Sequence, residues 1–167
     1  MKITILLPNG NLVVGPIAFV RAMFVEANDF LKKSDTDKPF FEVELMGISK
    51  KSRRLEGQFS IYPENTISYF NGSDLLIIPP LFGDPNLFID ENKKLIRWLK
   101  EKHKEGIEIA ALCKGVFLLA ATGILDRKQA TTHWAETERF RKMFPKVEFL
   151  PEKIITDENG IYTSALP

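Results

Sequence analysis

Residues Ile107 to Trp134, IEIAALCKGVFLLAATGILDRKQATTHW, decide the fold. They open on a short apolar run, Ile107, Ile109, Ala110, Ala111 and Leu112, of a length suited to a buried strand. The run breaks at Cys113-Lys114-Gly115 and becomes an apolar helical segment, Val116 to Ala121, with Gly123 as its stop. A strand that feeds directly into a helix needs a sharp turn, whose residue is forced into an unfavourable backbone conformation and lifted out of the sheet. Cys113 falls in that turn. Its sulfur is expected beside the N–H groups of Gly115 and Val116, where a thiolate is favoured over a thiol. Ala130-Thr131-Thr132-His133 reads as the next short strand, with His133 at its carboxyl end. Parallel strands end on one edge, so Cys113 and His133 are expected to meet there.

A single cysteine is more commonly an inert apolar core residue, and a single histidine a satisfied structural group. Their joint placement favours function. Each falls at the end of an expected strand, where α/β proteins place their sites.

Outward from this unit, strands and helices alternate. Lys2 to Leu7 reads as a central strand, followed by turn chemistry at Pro8-Asn9-Gly10-Asn11. A helix starts near Pro16, with Ile17, Val20, Phe24, Ala27 and Leu31 at helical spacing. Lys32 to Asp37 is an exposed connection, and Phe40 to Met46 is a strand with one wetter face. The basic run Lys50-Lys51-Ser52-Arg53-Arg54 reads as a solvated loop, with a short strand at Gln58–Tyr62. Asp74 to Ile78 is a buried strand leading into the loop Pro79 to Pro85. One helix is expected from Glu91 to Lys104, with Leu95, Trp98 and Leu99 inward and His103 solvated. After His133 come a short helix, Glu136 to Met143, and a strand over Phe144–Phe149. Ile154–Thr156 and Ile161–Thr163 form a hairpin around Asp157-Glu158-Asn159-Gly160. The alternation predicts one α/β domain over residues 1–167: a doubly wound, mostly parallel sheet with helices on both faces, flavodoxin-like.

Bulk composition narrows the function. The 167 residues carry 23 Lys and Arg against 22 Asp and Glu, a formal charge of +1, so no overall basic field points to nucleic acid. One cysteine excludes an internal disulfide and suits a reducing compartment. No stretch approaches a membrane span, and the chain opens on a strand rather than a signal peptide, so the expected setting is the cytoplasm without membrane contact. No phosphate-binding glycine motif follows a strand, and Cys113, His133 and the scattered carboxylates lack metal-ligand spacing. Neither a cofactor nor a metal is expected.

The segments A-L-C-K-G and G-I-L-D-R-K-Q-A-T-T-H-W resemble the ThiJ/PfpI superfamily, of class I glutamine amidotransferase-like fold. The pieces A-T-T-H-W and L-L-A-x-x-G-I-L-D are most similar to the amidotransferase-like sensor domain at the N-terminus of AraC-type (GlxA-like) transcription regulators. The resemblance implies a Cys113–His133 pocket, and three departures bear on its chemistry. The carboxylate that enzymes of the superfamily commonly place against the cysteine falls here on Leu12, beside the non-ionising Asn11. The Gly-Gly pair that offers N–H groups to an oxyanion aligns with Pro80-Leu81. Pro80 has no N–H, and Leu81 resists positive φ. His133 is followed by Trp134, with Glu136 the nearest acid to complete a triad.

Two functions follow. The first is a non-catalytic ligand-sensing domain, with Cys113, His133, Asn11, Leu12, Leu81, Gly83, Lys114, Gly115 and Trp134 around a small-molecule effector. The second is a cysteine-dependent enzyme with Cys113 and His133 as its catalytic pair: an amidase or protease, isonitrile hydratase or glyoxalase-like lyase. The pocket is expected between Gly10–Leu12, Pro80–Gly83, Cys113–Lys114 and His133–Trp134, with Trp134 either lining it or plugging the core. The resemblance implies a final helix that has no counterpart here, so part of a sheet face is expected uncovered, with the chain either pairing as a homodimer through it or continuing in the native protein into that helix and a DNA-binding domain. Direct DNA binding by these residues alone is not expected.

Overall fold

Lys2–Leu7 forms β1, with Ile3 through Leu7 all buried, as a central strand covered on both faces requires. The structure, a computed structural model, describes residues 1–31, 39–51, 53–55 and 59–165. The expected connection Lys32–Asp37 lies outside them, as do Ser52 and Gln58. After β1 come β2 (Asn11–Leu12), α1 (Val14–Leu31), β3 (Glu42–Gly47), β4 (Arg53–Leu55), β5 (Phe59–Ile61) and β6 (Asn65–Thr66). Next are β7 (Leu75–Ile78), β8 (Leu81–Phe82), α2 (Pro85–Glu91), α3 (Lys93–Lys104), β9 (Glu108–Leu112) and α4 (Val116–Ala121). The chain continues through β10 (Gln129–Ala130), α5 (Thr137–Met143), β11 (Glu148–Phe149), β12 (Ile155–Asp157) and β13 (Ile161–Ser164).

Seven strands make the main sheet in the order β12-β13-β9-β7-β1-β3-β6, parallel throughout except for the β12–β13 hairpin. From β1 the chain steps through α1 to β3; from β7 it steps the other way, through α2 and α3, to β9. Right-handed crossovers therefore put α1 on one face and α2 to α4 on the other, the doubly wound arrangement. The direction reverses between β1 and β7. Open α/β sheets leave a crevice there, at the carboxyl ends of the strands. The short strands β2 and β8, which follow β1 and β7, pair antiparallel at that edge, Asn11 against Phe82 and Leu12 against Leu81.

Several local readings are corrected. The helix expected over Glu91–Lys104 is two helices, broken at Asn92. Asn92 is fully buried; its Nδ2 donates to Phe88 O at 2.6 Å and Asn9 O at 2.9 Å, and its Oδ1 accepts from Asn9 N at 2.8 Å. The break lets one side chain satisfy the loop after β1. Arg53 and Arg54 enter β4, which pairs with β5, rather than staying in a loop. The strands expected at Ala130–His133 and Phe144–Phe149 shrink to β10 and β11, which pair with each other outside the main sheet. Inside α1, Ile17 is buried as expected but Leu31 is half exposed, and Asn28 is buried instead. Its amide clamps the backbone of Phe41, donating to O at 2.9 Å and accepting from N at 2.7 Å.

One end of the sheet is unevenly covered. Ile109 and Ala111 of β9 are buried, whereas Ala110 and Leu112 on the other face are only partly so. Those two align with Tyr162 and Ser164 of β13, and Ser164 aligns with Ile155 of β12, which is 63% exposed. That face of β9, β13 and β12 is thinly covered.

Candidate functional site

The strand-to-helix turn forms as a left-handed elbow. Cys113 has φ 53°, in a one-turn 3-10 segment, Cys113–Gly115, between β9 and α4. A side-chain-bearing residue held there costs about 1–3 kcal/mol and persists only where its surroundings enforce it. Three contacts do so. The N–H of Val116 donates back to the carbonyls of Cys113 and Lys114. The Thr132 hydroxyl donates to Cys113 O at 2.7 Å. Gly115 lies so close to the end of β7 that a Cβ would stand 2.5 Å from Pro79 O and 2.9 Å from Ile78 O. Only glycine fits this approach.

A hollow of about 300 Å³ opens over the elbow, lined by Val13, Pro16, Pro80, Leu81, Phe82, Cys113, Lys114 and His133. It sits at the carboxyl edge of the sheet. A larger and more open hollow, about 610 Å³, lies at the opposite edge between Asp74, Glu105 and Glu108. Its hydroxyl, Ser73 Oγ, is turned to the carbonyls of Lys2 and Leu75, so the smaller hollow, which holds Cys113 and His133, is the candidate site.

The structure brings together Cys113, His133, Lys114 and Leu81 in that lining, with Pro80 and Phe82 from the same loop. Asn11, Leu12, Gly83, Gly115 and Trp134 are not among the lining residues. Leu12 is 1% exposed and packs in the core at its pairing with Leu81. Gly115 supports the elbow from behind, and Gly83 turns the chain with φ 100° towards the Asp84 cap of α2. Trp134 is 70% exposed, so it does not plug the core; its ring stacks on His133 with centroids 5.5 Å apart. Val13 and Pro16, at the start of α1, were missed as lining residues. Their signal was the connection itself, because a helix entered straight from β2 must begin at the pocket mouth.

The polar groups are committed to specific partners. His133 caps the short turn Trp134–Glu136, its Nδ1 accepting from Ala135 N at 3.2 Å. The ring nitrogen that an acid would orient in a triad is therefore engaged by a backbone N–H instead. Glu136, the acid nearest to His133 in sequence, forms an ion pair with Lys114 instead, and reaches Arg139 Nε at 3.8 Å. Arg139 in turn meets Asp84 at 3.5 Å. Among the described residues no three His, Cys, Asp or Glu side chains gather as a metal site.

The sequence model of the DJ-1/PfpI family matches residues 25–167. The chain belongs to that family. Among its relatives, the HTH-type transcriptional regulator CdhR of Pseudomonas aeruginosa is 29% identical over 58 residues, 35% of this chain and 17% of the regulator. The HTH-type transcriptional regulator GlxA of Rhizobium meliloti is 32% identical over 65 residues, 39% of this chain and 20% of the regulator. The matched stretch thus spans a fifth or less of either regulator. Isonitrile hydratase of Pseudomonas putida is 26% identical over 88 residues, 52% of this chain and 36% of the enzyme. A crystal structure from Vibrio parahaemolyticus, of a protein assigned as a transcriptional regulator, superposes with a TM-score of 0.85 at 23% identity. It covers 99% of this chain, and this chain covers 83% of it. At that identity the likeness is one of fold. The DJ-1/PfpI family holds both regulators and enzymes, so the site's own chemistry has to separate them.

Proposed function

We infer that this DJ-1/PfpI domain is the ligand-sensing part of an AraC-type transcriptional regulator, and that the hollow over Cys113 binds an effector without turning it over. One observation carries the reading: three positions expected to serve catalysis hold groups that cannot serve it or are engaged elsewhere. Leu12 is core-buried, Pro80 lacks an N–H, and Glu136 is occupied by Lys114. A missing oxyanion donor alone costs about a hundredfold or more in rate. The relatives named as regulators support the same reading. The effector is a small molecule with a largely apolar body, matching Val13, Pro16, Pro80, Leu81 and Phe82, and one polar end facing Cys113, Lys114 and His133. In this reading the domain works in the cytoplasm, pairs with a second copy, and leaves DNA contact to a separate helix-turn-helix domain of the native protein.

The test is a direct comparison of binding with turnover. Glutamine, methylglyoxal and an alkyl isonitrile should show no consumption above that of Cys113→Ala. A fragment library screened by chemical-shift changes should yield binders whose signals at His133 vanish when the hollow is filled in Leu81→Trp. Consumption of any of the three that disappears in Cys113→Ala would make the protein an enzyme of the cysteine-nucleophile type.

A further inference from the structure

The holder of the elbow that sequence reasoning did not find is a threonine. We propose that Thr132 is a positioning residue: its hydroxyl, donated to the Cys113 carbonyl, keeps the cysteine backbone left-handed and so sets how its sulfur faces the hollow. Thr132 is 1% exposed and its bond to Cys113 O is 2.7 Å, buried at both ends. The carbonyl it grips belongs to the one residue of the elbow with positive φ. The second hydrogen bond to that oxygen, from Val116 N–H, is a local helical bond that any strand-to-helix turn would supply. Thr132 is a long-range hydrogen-bonded restraint, from a segment that has left the main sheet.

Thr132 is itself held in place. Its neighbour Thr131 is fully buried; its N–H donates to Thr163 Oγ1 at 2.8 Å and its hydroxyl to Lys153 O at 2.8 Å. Thr163 shares a further hydrogen bond of 2.5 Å with Thr156 across the β12–β13 hairpin. Four buried threonines thus tie the elbow to the far end of the sheet, with a hydroxyl at each junction. A valine at 132 would have nearly the same shape but no proton to donate, so it isolates the hydrogen bond from the packing.

The experiment follows iodoacetamide alkylation of Cys113, the chain's single cysteine, by mass spectrometry across pH. Thr132→Val should slow alkylation near neutral pH by about five- to tenfold, the size of one net hydrogen bond, and move the midpoint of the profile to higher pH. Thr132→Ser, which keeps the hydroxyl, should stay within about twofold of the parent. Thr132→Ala, which leaves room for a water, covers the case in which valine does not fold. A folded Thr132→Val with the parent profile overturns the proposal. So does a displaced profile in the serine variant. Loss of fold in both valine and alanine variants, with serine native, also overturns it, because the hydroxyl would then hold the fold rather than the sulfur. None of these readings depends on an effector, so the proposal can fail while the sensing function stands.

Discussion

Glu136 and Lys114 form an ion pair at the rim of the hollow that contains Cys113. The Lys114 and Glu136 side chains are only 20% and 13% exposed, so solvent screens this pair less than a surface one. It neutralises the cation nearest in sequence to the sulfur.

Glu136→Gln should therefore make Cys113 easier to ionise. With the carboxylate gone, the ammonium of Lys114 acts on the hollow uncompensated and favours a thiolate. The alkylation profile of Cys113 should move to lower pH in Glu136→Gln and to higher pH in Lys114→Met. Identical profiles in all three proteins would mean that Lys114 does not reach the sulfur electrostatically.

Gly115→Ala should cost about 3 kcal/mol or prevent folding, because its methyl would meet two backbone oxygens that cannot move aside cheaply. Urea denaturation measures it. A loss below about 1 kcal/mol would show that α4 can shift away from β7.

Asn92→Ala should destabilise by about 2–3 kcal/mol, since it leaves the Asn9 N–H and the carbonyls of Asn9 and Phe88 without their side-chain partner. The same denaturation curves report it. Near-parental stability would mean that water takes over all three contacts.

His103 supplies a pH test. It is partly buried, not fully solvated as its charged neighbours suggested; burial first, then the charge of Lys128, hold its imidazole below the ordinary 6.5, while a hydrogen bond with the Ile107 backbone opposes them. A folded value below the unfolded one means the unfolded chain takes up the extra proton. Its stabilising contribution is complete above about pH 6.5 and is lost as pH falls below it. His103→Gln should flatten the fall of the unfolding midpoint over about pH 6.5 to 5. An unchanged slope would place the titration on another group.

The elbow was legible because it depends on neighbours in sequence. An apolar run, Cys-Lys-Gly and an apolar helix leave one geometry, and α4 has the expected span, Val116–Ala121. The parts that were not legible depend on distant partners. Asn92 reads as an ordinary polar position in a continuous helical pattern until Asn9, 83 residues away, is known to need it. His133 looked like a strand end because Ala130 to His133 is short and β-prone. Its ring instead caps the next turn, since β10 finds β11 and not the main sheet. Trp134 offered an apolar ring with no indication of direction, and it points largely to solvent.

The thinly covered face of β9, β13 and β12 should support self-association, centred on Ile155 and, beside it, the 72% exposed Ile154. Burial there contributes about 25 cal/mol per Å² of apolar surface. Ile155→Lys should weaken the association at least tenfold by light scattering. A parent protein that stays monomeric at high concentration would refute it.

That face is linked to the hollow through β13: Tyr162 and Ser164 look one way, while Thr163 between them bonds Thr131, next to the Thr132 that holds Cys113. If the proposed effector and a second copy engage these two places, their binding is coupled by reciprocity. Whatever factor an effector adds to pairing, pairing adds to effector affinity. Midpoints of effector titration would then depend on protein concentration, and the domain would report its own abundance together with its ligand.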